Sequence, residues 1–231
     1  MSTLQNITSI EPLGDCALVI HFAKVIDRNL NQHIHALAKQ IQIQQSSSIT
    51  DIVPSYQTLA IFYQPHQIGF NALQNIILQC NENTQTSTYQ SRQVDIPVCY
   101  EHACAPDIAL LAEHCQLSID EVIKRHSHTT YDVYFLGFKP GFAYLGDLDS
   151  SLTMPRKSTP RLQVPAGSVG IGGMQTGIYP QMTPGGWQII GQTPLQLFDP
   201  TLASPCLLQP GDSVRFVPIS IDEFEHFGDS L

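Results

Sequence analysis

The chain has 231 residues, 42% of them hydrophobic and only 13% charged, and its formal net charge is −9. This length suits one large domain or two small ones, and the acidic balance argues against binding to nucleic acid or to an anionic membrane. No apolar run approaches the ~20 residues of a membrane span and the first residues lack a secretory signal pattern, so we expect a cytoplasmic protein.

The first 90 residues alternate between strand and helix patterns. Apolar residues recur at helical spacing from Leu30 to Ile41 and from Phe70 to Cys80. Four short apolar runs are typical of strands: residues 16–22, 49–53, 58–63 and 93–99. The order β-α-β-β-α-β predicts a ferredoxin-like α/β sandwich over residues 1–90, whose last strand, 93–99, could be shared with the part that follows.

From residue 91 onward the pattern changes. Two helices are predicted first, one over residues 107–114 behind Pro106 and one opened by Ser118, which has the Ser-x-x-Glu spacing of a capping box. Turn residues then separate short β runs, which indicates a small closed or partly closed barrel. The predicted strands are residues 131–138, 167–171, 187–190, 195–198 and 213–218. The chain is thus predicted to be an α+β protein, with a barrel domain over 91–220 and an acidic tail over 221–231.

A contrast in charge marks a candidate ligand site. Arg156, Lys157 and Arg161 lie within six positions, and residues 162–198 contain no Asp, Glu, Lys or Arg. A cationic rim beside a neutral, amide-rich wall suits a compact anion, because Arg binds carboxylate or phosphate with its forked guanidinium group. Alternatively, the basic residues form a solvated loop that balances nearby aspartates, and the sequence leaves both interpretations open.

Several other side chains have both a chemical and a structural interpretation. Tyr144, Tyr179 and Trp187 could line an aromatic pocket or simply pack in the core. His126 could act as a general base or favour the dipole at the end of a helix.

The glycine-rich residues 167–173 match neither a P-loop nor a dinucleotide fingerprint, which favours glycines at barrel bends. The cysteines lack the spacing of a disulfide framework. A zinc site at Cys99, His102 and Cys104, with His114 and Cys115 ten residues further on, is only weakly indicated, so we predict no metal site.

A series of short motifs resembles a known family. Residues 135–146 are FLGFKPGFAYLG, residues 154–161 are MPRKSTPR and residues 164–173 are VPAGSVGIGG. Four further segments continue the series in the same order: residues 175–180, 184–188, 197–200 and 210–218. Together they resemble the family of the 5-oxoprolinase B subunit, also known as allophanate hydrolase subunit 1 or the carboxyltransferase subdomain C/D family.

The resemblance implies a fold, an activity and a set of site residues. The fold would be an N-terminal α/β subdomain followed by a cyclophilin-like β-barrel. The activity would be that of an ATP-dependent 5-oxoprolinase, in which the B and C subunits activate 5-oxoproline with ATP and Mg²⁺, and the A subunit opens the ring to L-glutamate. The chain alone would be inactive. By motif position, the resemblance implies that His126 is catalytic and that six residues bind substrate: Arg156, Arg161, Ser168, Gln175, Tyr179 and Trp187.

Two other functions share the same barrel. One is inhibition of a sporulation-type histidine kinase, and the other is half of a urea or allophanate carboxyltransferase that works on carboxybiotin. The motifs do not separate these functions, whereas neighbouring genes would. No nucleic-acid or membrane partner is expected.

Overall fold

The computed structural model describes residues 6–45, 47–84 and 92–227, and the chain divides into two compact units, residues 1–90 and 91–231. Both units mix helices with strands. Within the described ranges, no helix has the length and apolar character needed to cross a membrane.

The described part of the first unit is an antiparallel sheet with two helices. The sheet contains β1 (Ser9–Pro12), β2 (Ala17–His21), β3 (Ile49–Pro54) and β4 (Thr58–Tyr63), in the order β1-β2-β4-β3. Helices α1 (Arg28–Gln44) and α2 (Phe70–Asn83) bury the apolar faces predicted from the sequence against this sheet. Helix α1 begins where the Asp27 carboxylate accepts a hydrogen bond from the Leu30 N–H, at 2.9 Å.

A closed barrel forms the centre of the second unit. Its seven strands among the described residues are, in order around the barrel, β10 (Gln175–Ile178), β7 (Ala143–Leu145), β6 (Thr130–Leu136), β13 (Ser213–Ile219), β5 (Gln93–Cys99), β12 (Gln188–Gln192) and β9 (Ser168–Gly172). Strand β9 pairs with β10 and closes the ring. A separate ribbon pairs β8 (Arg161–Val164) with β11 (Thr183–Gly185). The core contains Ile96, Val98, Tyr131, Val133, Val169, Ile171, Val214 and Phe216.

Residues 93–99 were predicted as the last strand of the β-α-β-β-α-β order, with a share in the part that follows left open; they belong to the barrel and not to the sheet of the first unit. Strand β5 pairs in parallel with β13 over its whole length and buries Ile96 and Val98 in the barrel. The position beside β2 is taken by β1, which precedes both helices. Strand β1 is short, half exposed and includes Glu11 and Pro12, so it lacks the apolar alternation that identifies a strand.

Among the described residues, the second unit also contains three α-helices and a short 3-10 helix, Ser150–Leu152. Helix α3 (Ile108–Cys115) and helix α4 (Ile119–His128) lie between β5 and β6 in the chain, and Ser118 caps α4 as predicted, accepting from the Glu121 N–H at 3.2 Å. Helix α5 (Ile221–His226) begins at a capping box, so the segment predicted as an acidic tail starts as a helix. The strand predicted at 195–198 is absent from the described structure, where Phe198 forms only an isolated bridge.

Candidate functional site

Aromatic rings line a cavity of about 350 Å³ in the second unit. We call this cavity the aromatic pocket; its rings are those of Phe138, Phe142, Tyr144, Tyr179 and Trp187. The Phe142 and Trp187 rings meet edge to face with centroids 5.6 Å apart, and Phe142 contacts Tyr144 at 4.8 Å. The sequence left open whether Tyr144, Tyr179 and Trp187 line a pocket or pack in the core. All three line this cavity, and Tyr179 and Trp187 are also buried in a core cluster with Phe142. The size of the cavity is within the ~300–1,000 Å³ typical of small-molecule sites.

Glycines of the barrel make room for the Trp187 ring. A Cβ atom at Gly172 would lie 2.7 Å from the indole, and one at Gly177 would lie 3.1 Å from it and 2.8 Å from the Ala143 carbonyl oxygen. Both residues belong to strands that pair within the barrel. The glycine-rich segment 167–173 thus permits close packing along β9, whereas the sequence favoured glycines at bends; Gly167 and Gly173, which have positive φ, lie at the two ends of this strand.

Arg156 supplies a positive charge at the aromatic pocket. Its guanidinium carbon lies 5.6 Å from the centroid of the Trp187 ring, a cation–π contact. The residue is exposed, and no carboxylate among the described residues forms an ion pair with it. Its charge therefore remains available to an anionic ligand in the pocket.

The other two basic residues of the predicted rim are held by a buried carboxylate. Asp107, at the start of α3, accepts a hydrogen bond from Arg161 Nη2 at 2.7 Å and lies 2.9 Å from Lys157 Nζ, both through Oδ1. Its Oδ2 accepts from the Ile189 N–H at 2.7 Å. Burial alone would raise the pKa of Asp107, but these hydrogen bonds outweigh it and lower the pKa.

The rim predicted from the sequence is therefore divided. Lys157 lines the aromatic pocket beside Arg156, whereas Arg161 is not among the residues that line it. Asp107 was not identified from the sequence as a residue of the site. Its partners lie 50 or more positions further along the chain, and its local sequence is that of an ordinary residue at the start of a helix.

His126 lies in the barrel core with both ring nitrogens hydrogen-bonded. Tyr100 Oη is 2.7 Å from Nδ1, and Thr176 Oγ1 is 3.0 Å from Nε2. Because the Thr176 hydroxyl donates its hydrogen to the Gly170 carbonyl at 3.1 Å, Nε2 must donate to Thr176 and Nδ1 must accept from Tyr100.

The environment of His126 also disfavours its charged form. The ring stacks on Phe216 with centroids 4.5 Å apart, and burial lowers its pKa to about 3. These contacts fit a structural role for a neutral imidazole. Catalysis by His126 stays a prediction, which variants can test.

The remaining predicted site residues lie elsewhere on the barrel. Ser168 is buried at the start of β9, where its carbonyl accepts from the Tyr179 N–H at 2.9 Å. Gln175 is half-buried at the start of β10, opposite Gly172. Neither residue lines the aromatic pocket, so their role in substrate binding stays a prediction.

The cysteines of the suggested zinc pattern are buried thiols. Burial and contact with Cys99 raise the pKa of Cys104 to about 12, which keeps its thiol protonated. In the ranges that the structure covers, no group of three or more His, Cys, Asp and Glu side chains is placed to hold a metal ion.

Comparison with known proteins agrees with this architecture. The family model "Carboxyltransferase domain, subdomain C and D" matches residues 8–208, and the chain therefore belongs to this family. Two relatives are named as the B subunit of 5-oxoprolinase. The Bacillus subtilis protein is 41% identical over 94% of this chain and 95% of its own length, and the Escherichia coli O157:H7 protein is 42% identical over 89% and 94%.

The chain also matches a solved structure and a more distant relative. The crystal structure of a conserved uncharacterized protein from Pyrococcus horikoshii is 42% identical, covers 94% of this chain and 100% of its own, and superimposes with a TM-score of 0.57. The urea amidolyase of Lachancea kluyveri is more distant, at 23% identity over 98% of this chain but only 14% of its own length.

Proposed function

We propose that this chain is the B subunit of an ATP-dependent 5-oxoprolinase, which converts 5-oxoproline to L-glutamate while ATP is hydrolysed to ADP and phosphate. The main support is the match at 41–42% identity to proteins named as the 5-oxoprolinase B subunit, along nearly the full length of both chains. The aromatic pocket with its Arg156 cation adds an independent structural reason, because the substrate is a small cyclic carboxylate.

In this proposal the aromatic pocket holds 5-oxoproline. Arg156 binds the carboxylate through its guanidinium fork, and the Trp187 indole packs against the small ring. Burial raises the pKa of both Tyr144 and Tyr179, so their hydroxyl groups stay protonated and can donate to the lactam oxygen. Glycines at 172 and 177 contribute indirectly, because they let the indole lie against the barrel.

The chemistry explains why ATP is needed. A lactam is a poor electrophile, and transfer of the γ-phosphoryl group to its oxygen, with release of ADP, supplies a leaving group. Water then attacks the ring carbon, the C–N bond breaks to free the amine, and a second water hydrolyses the acyl phosphate. Arg156 and Lys157 would stabilise negative charge during the transfer. The remaining steps are assigned to the A and C subunits.

This chain fits a phosphate better than it fits a resident metal. The residues that line the aromatic pocket include two cations and no carboxylate. Both oxygens of the nearby Asp107 carboxylate are already hydrogen-bonded. Mg²⁺ would therefore be held by phosphate oxygens and water, as is usual for this ion at nucleotide sites.

Finer structural assignments belong to the same proposal. We place the first unit among ferredoxin-like folds, since β2, β4 and β3 have the neighbour order of that fold and β1 fills the remaining edge. We place the barrel among cyclophilin-like folds. The division into 1–90, 91–220 and 221–231, and a cytoplasmic location, also remain proposals.

ATP-dependent glutamate release from 5-oxoproline tests the proposed function. This chain is mixed with candidate A and C subunits, and each of the three proteins is omitted in turn. We expect activity only when all three are present. Release that persists without this chain, in a competent mixture, would contradict the proposal and favour a kinase inhibitor. The carboxyltransferase alternative has the weaker support, because its named relatives are distant.

A further inference from the structure

A second cavity of about 510 Å³ adjoins the aromatic pocket, and Arg156 and Lys157 line both. We call this second cavity the polar groove. Besides the two cations, its polar lining residues are His114 of α3, Ser158, Thr159 and Gln188 of β12, and its apolar lining residues are Leu110, Met154 and Pro155. Its lining residues include no carboxylate. An anion bound by these two basic residues would therefore lie next to a ligand in either cavity.

Gln188 is the unusual member of the groove. The residue is 3% exposed, and its Nε2 donates to the Pro155 carbonyl at 3.0 Å, which fixes the orientation of the amide. Its Oε1 is buried and accepts no hydrogen bond from the described residues. An unpaired buried carbonyl oxygen is unfavourable, so a ligand O–H or N–H group would be stabilised there.

The charge around the groove is positive although the chain as a whole is acidic. Arg156, Lys157 and Arg161 carry three positive charges, and the buried Asp107 carboxylate neutralises only one of them. Asp107 also restrains the Lys157 side chain through their ion pair. Because this side chain is already ordered, it loses less conformational entropy when it binds an anion.

We propose that the polar groove is a nucleotide subsite, in which the phosphates lie at Arg156 and Lys157 and a hydroxyl or amino group of the nucleoside donates to Gln188 Oε1. This inference rests on the proposed function, to which it adds a location for ATP. Because Arg156 and Lys157 line both cavities, the terminal phosphate would lie next to the aromatic pocket that holds 5-oxoproline. Ser158 and Thr159 would donate to phosphate oxygens.

Nucleotide affinity of the Gln188→Met variant tests this subsite. MgATP binding is measured by calorimetry for the full chain, alone and assembled with the candidate C subunit. We expect about 5-fold weaker binding, the loss of one hydrogen bond. The matched control is Gln192→Met, on the same strand, since Gln192 Nε2 makes the same kind of bond, to the Ala166 carbonyl at 2.7 Å, away from the groove.

A second variant covers the case in which Gln188→Met fails to fold. Thr159 is exposed, so Thr159→Val should fold normally and bind MgATP about 3-fold less tightly. Tripolyphosphate lacks the nucleoside donor, so it should bind the wild-type chain less tightly than ATP does. Equal affinity of the wild type and both folded variants, or no MgATP binding by the chain alone or assembled, would overturn the subsite.

The two proposals fail in different ways. If glutamate release requires this chain but the KM for ATP is the same in wild-type and Gln188→Met enzymes, the oxoprolinase proposal stands and the nucleotide subsite is wrong. If MgATP binds and Gln188→Met weakens it, but no glutamate is formed by a competent mixture, the subsite stands and the oxoprolinase proposal is wrong.

Discussion

Replacing Arg156 and Arg161 separately should separate ligand binding from stability. From the sequence, both were candidates for the same anion-binding rim. In the structure, Arg161 is bonded to the buried carboxylate of Asp107 at 2.7 Å, whereas Arg156 lies over the face of Trp187. Substitution by Met keeps most of the side-chain stem and removes the charge in both cases.

The expected free-energy changes follow from these contacts. Breaking a buried ion pair costs about 3–5 kcal/mol, but Lys157 and the Ile189 N–H still stabilise the carboxylate and the Arg161 side chain is 28% exposed. A value near ~2 kcal/mol, typical of one hydrogen bond to a charged group, is therefore expected for Arg161→Met. Arg156→Met loses an exposed cation–π contact, about 0.5–1 kcal/mol.

Urea unfolding followed by tryptophan fluorescence measures this difference, because Trp187 is the sole tryptophan and reports on the second unit. With m of about 2 kcal/mol/M, Arg161→Met should lower the midpoint by about 1 M and Arg156→Met by at most about half of that. In the enzyme assay Arg156→Met should raise the KM for 5-oxoproline at least about 10-fold, the loss of a charge-assisted hydrogen bond. Equal midpoints for the two variants, or an unchanged KM in Arg156→Met, would refute this assignment.

The pH dependence of the same variant provides an internal check. Because the pKa of Asp107 is lowered in the folded protein, its contribution to stability is present above the unfolded value of ~3.9 and is lost as the pH falls through the folded value. The difference between wild type and Arg161→Met should therefore narrow as the pH falls below about 4. A difference that stays constant over this range would argue against a charged Asp107.

Three further predictions concern the barrel. Burial lowers the pKa of His126 to about 3 in the folded protein, whereas the unfolded chain binds this proton at about pH 6.5. Below that pH, His126 therefore lowers the free energy of unfolding by up to about 1.4 kcal/mol per pH unit. Urea titrations of His126→Gln should lack this slope, and an unchanged slope would contradict a buried neutral His126. A thiol reagent at about pH 8 should label exposed Cys16 quickly and Cys104 slowly, as mass spectrometry of peptides can show, and equal rates would contradict the burial of Cys104. Gly172→Ala should displace Trp187, shift its emission and cost about 1–3 kcal/mol, whereas Gly69→Ala, where a Cβ meets no atom within 4 Å, should leave the emission unchanged.

Local patterns in the sequence determined much of the secondary structure and part of the site. Helical spacing identified the buried faces of α1 and α2, and the Ser118 spacing identified the cap of α4. These features depend on residues three or four positions apart, so they can be identified from local sequence. Three of the five aromatic residues of the pocket, Tyr144, Tyr179 and Trp187, were also named from the sequence, whereas Phe138 and Phe142 were not.

Tertiary structure alone decided which partner each segment and each charge finds. Strand β5 belongs to the barrel because its register matches β13, 120 positions further along, and an apolar run by itself does not specify its sheet. Burial of His126 and pairing of Arg161 with Asp107 likewise depend on contacts 50 or more positions apart. Residue types therefore predicted a cationic site on a barrel. Only the tertiary structure shows that Arg156 lies over Trp187 without a carboxylate partner among the described residues, whereas Lys157 and Arg161 pair with the buried Asp107.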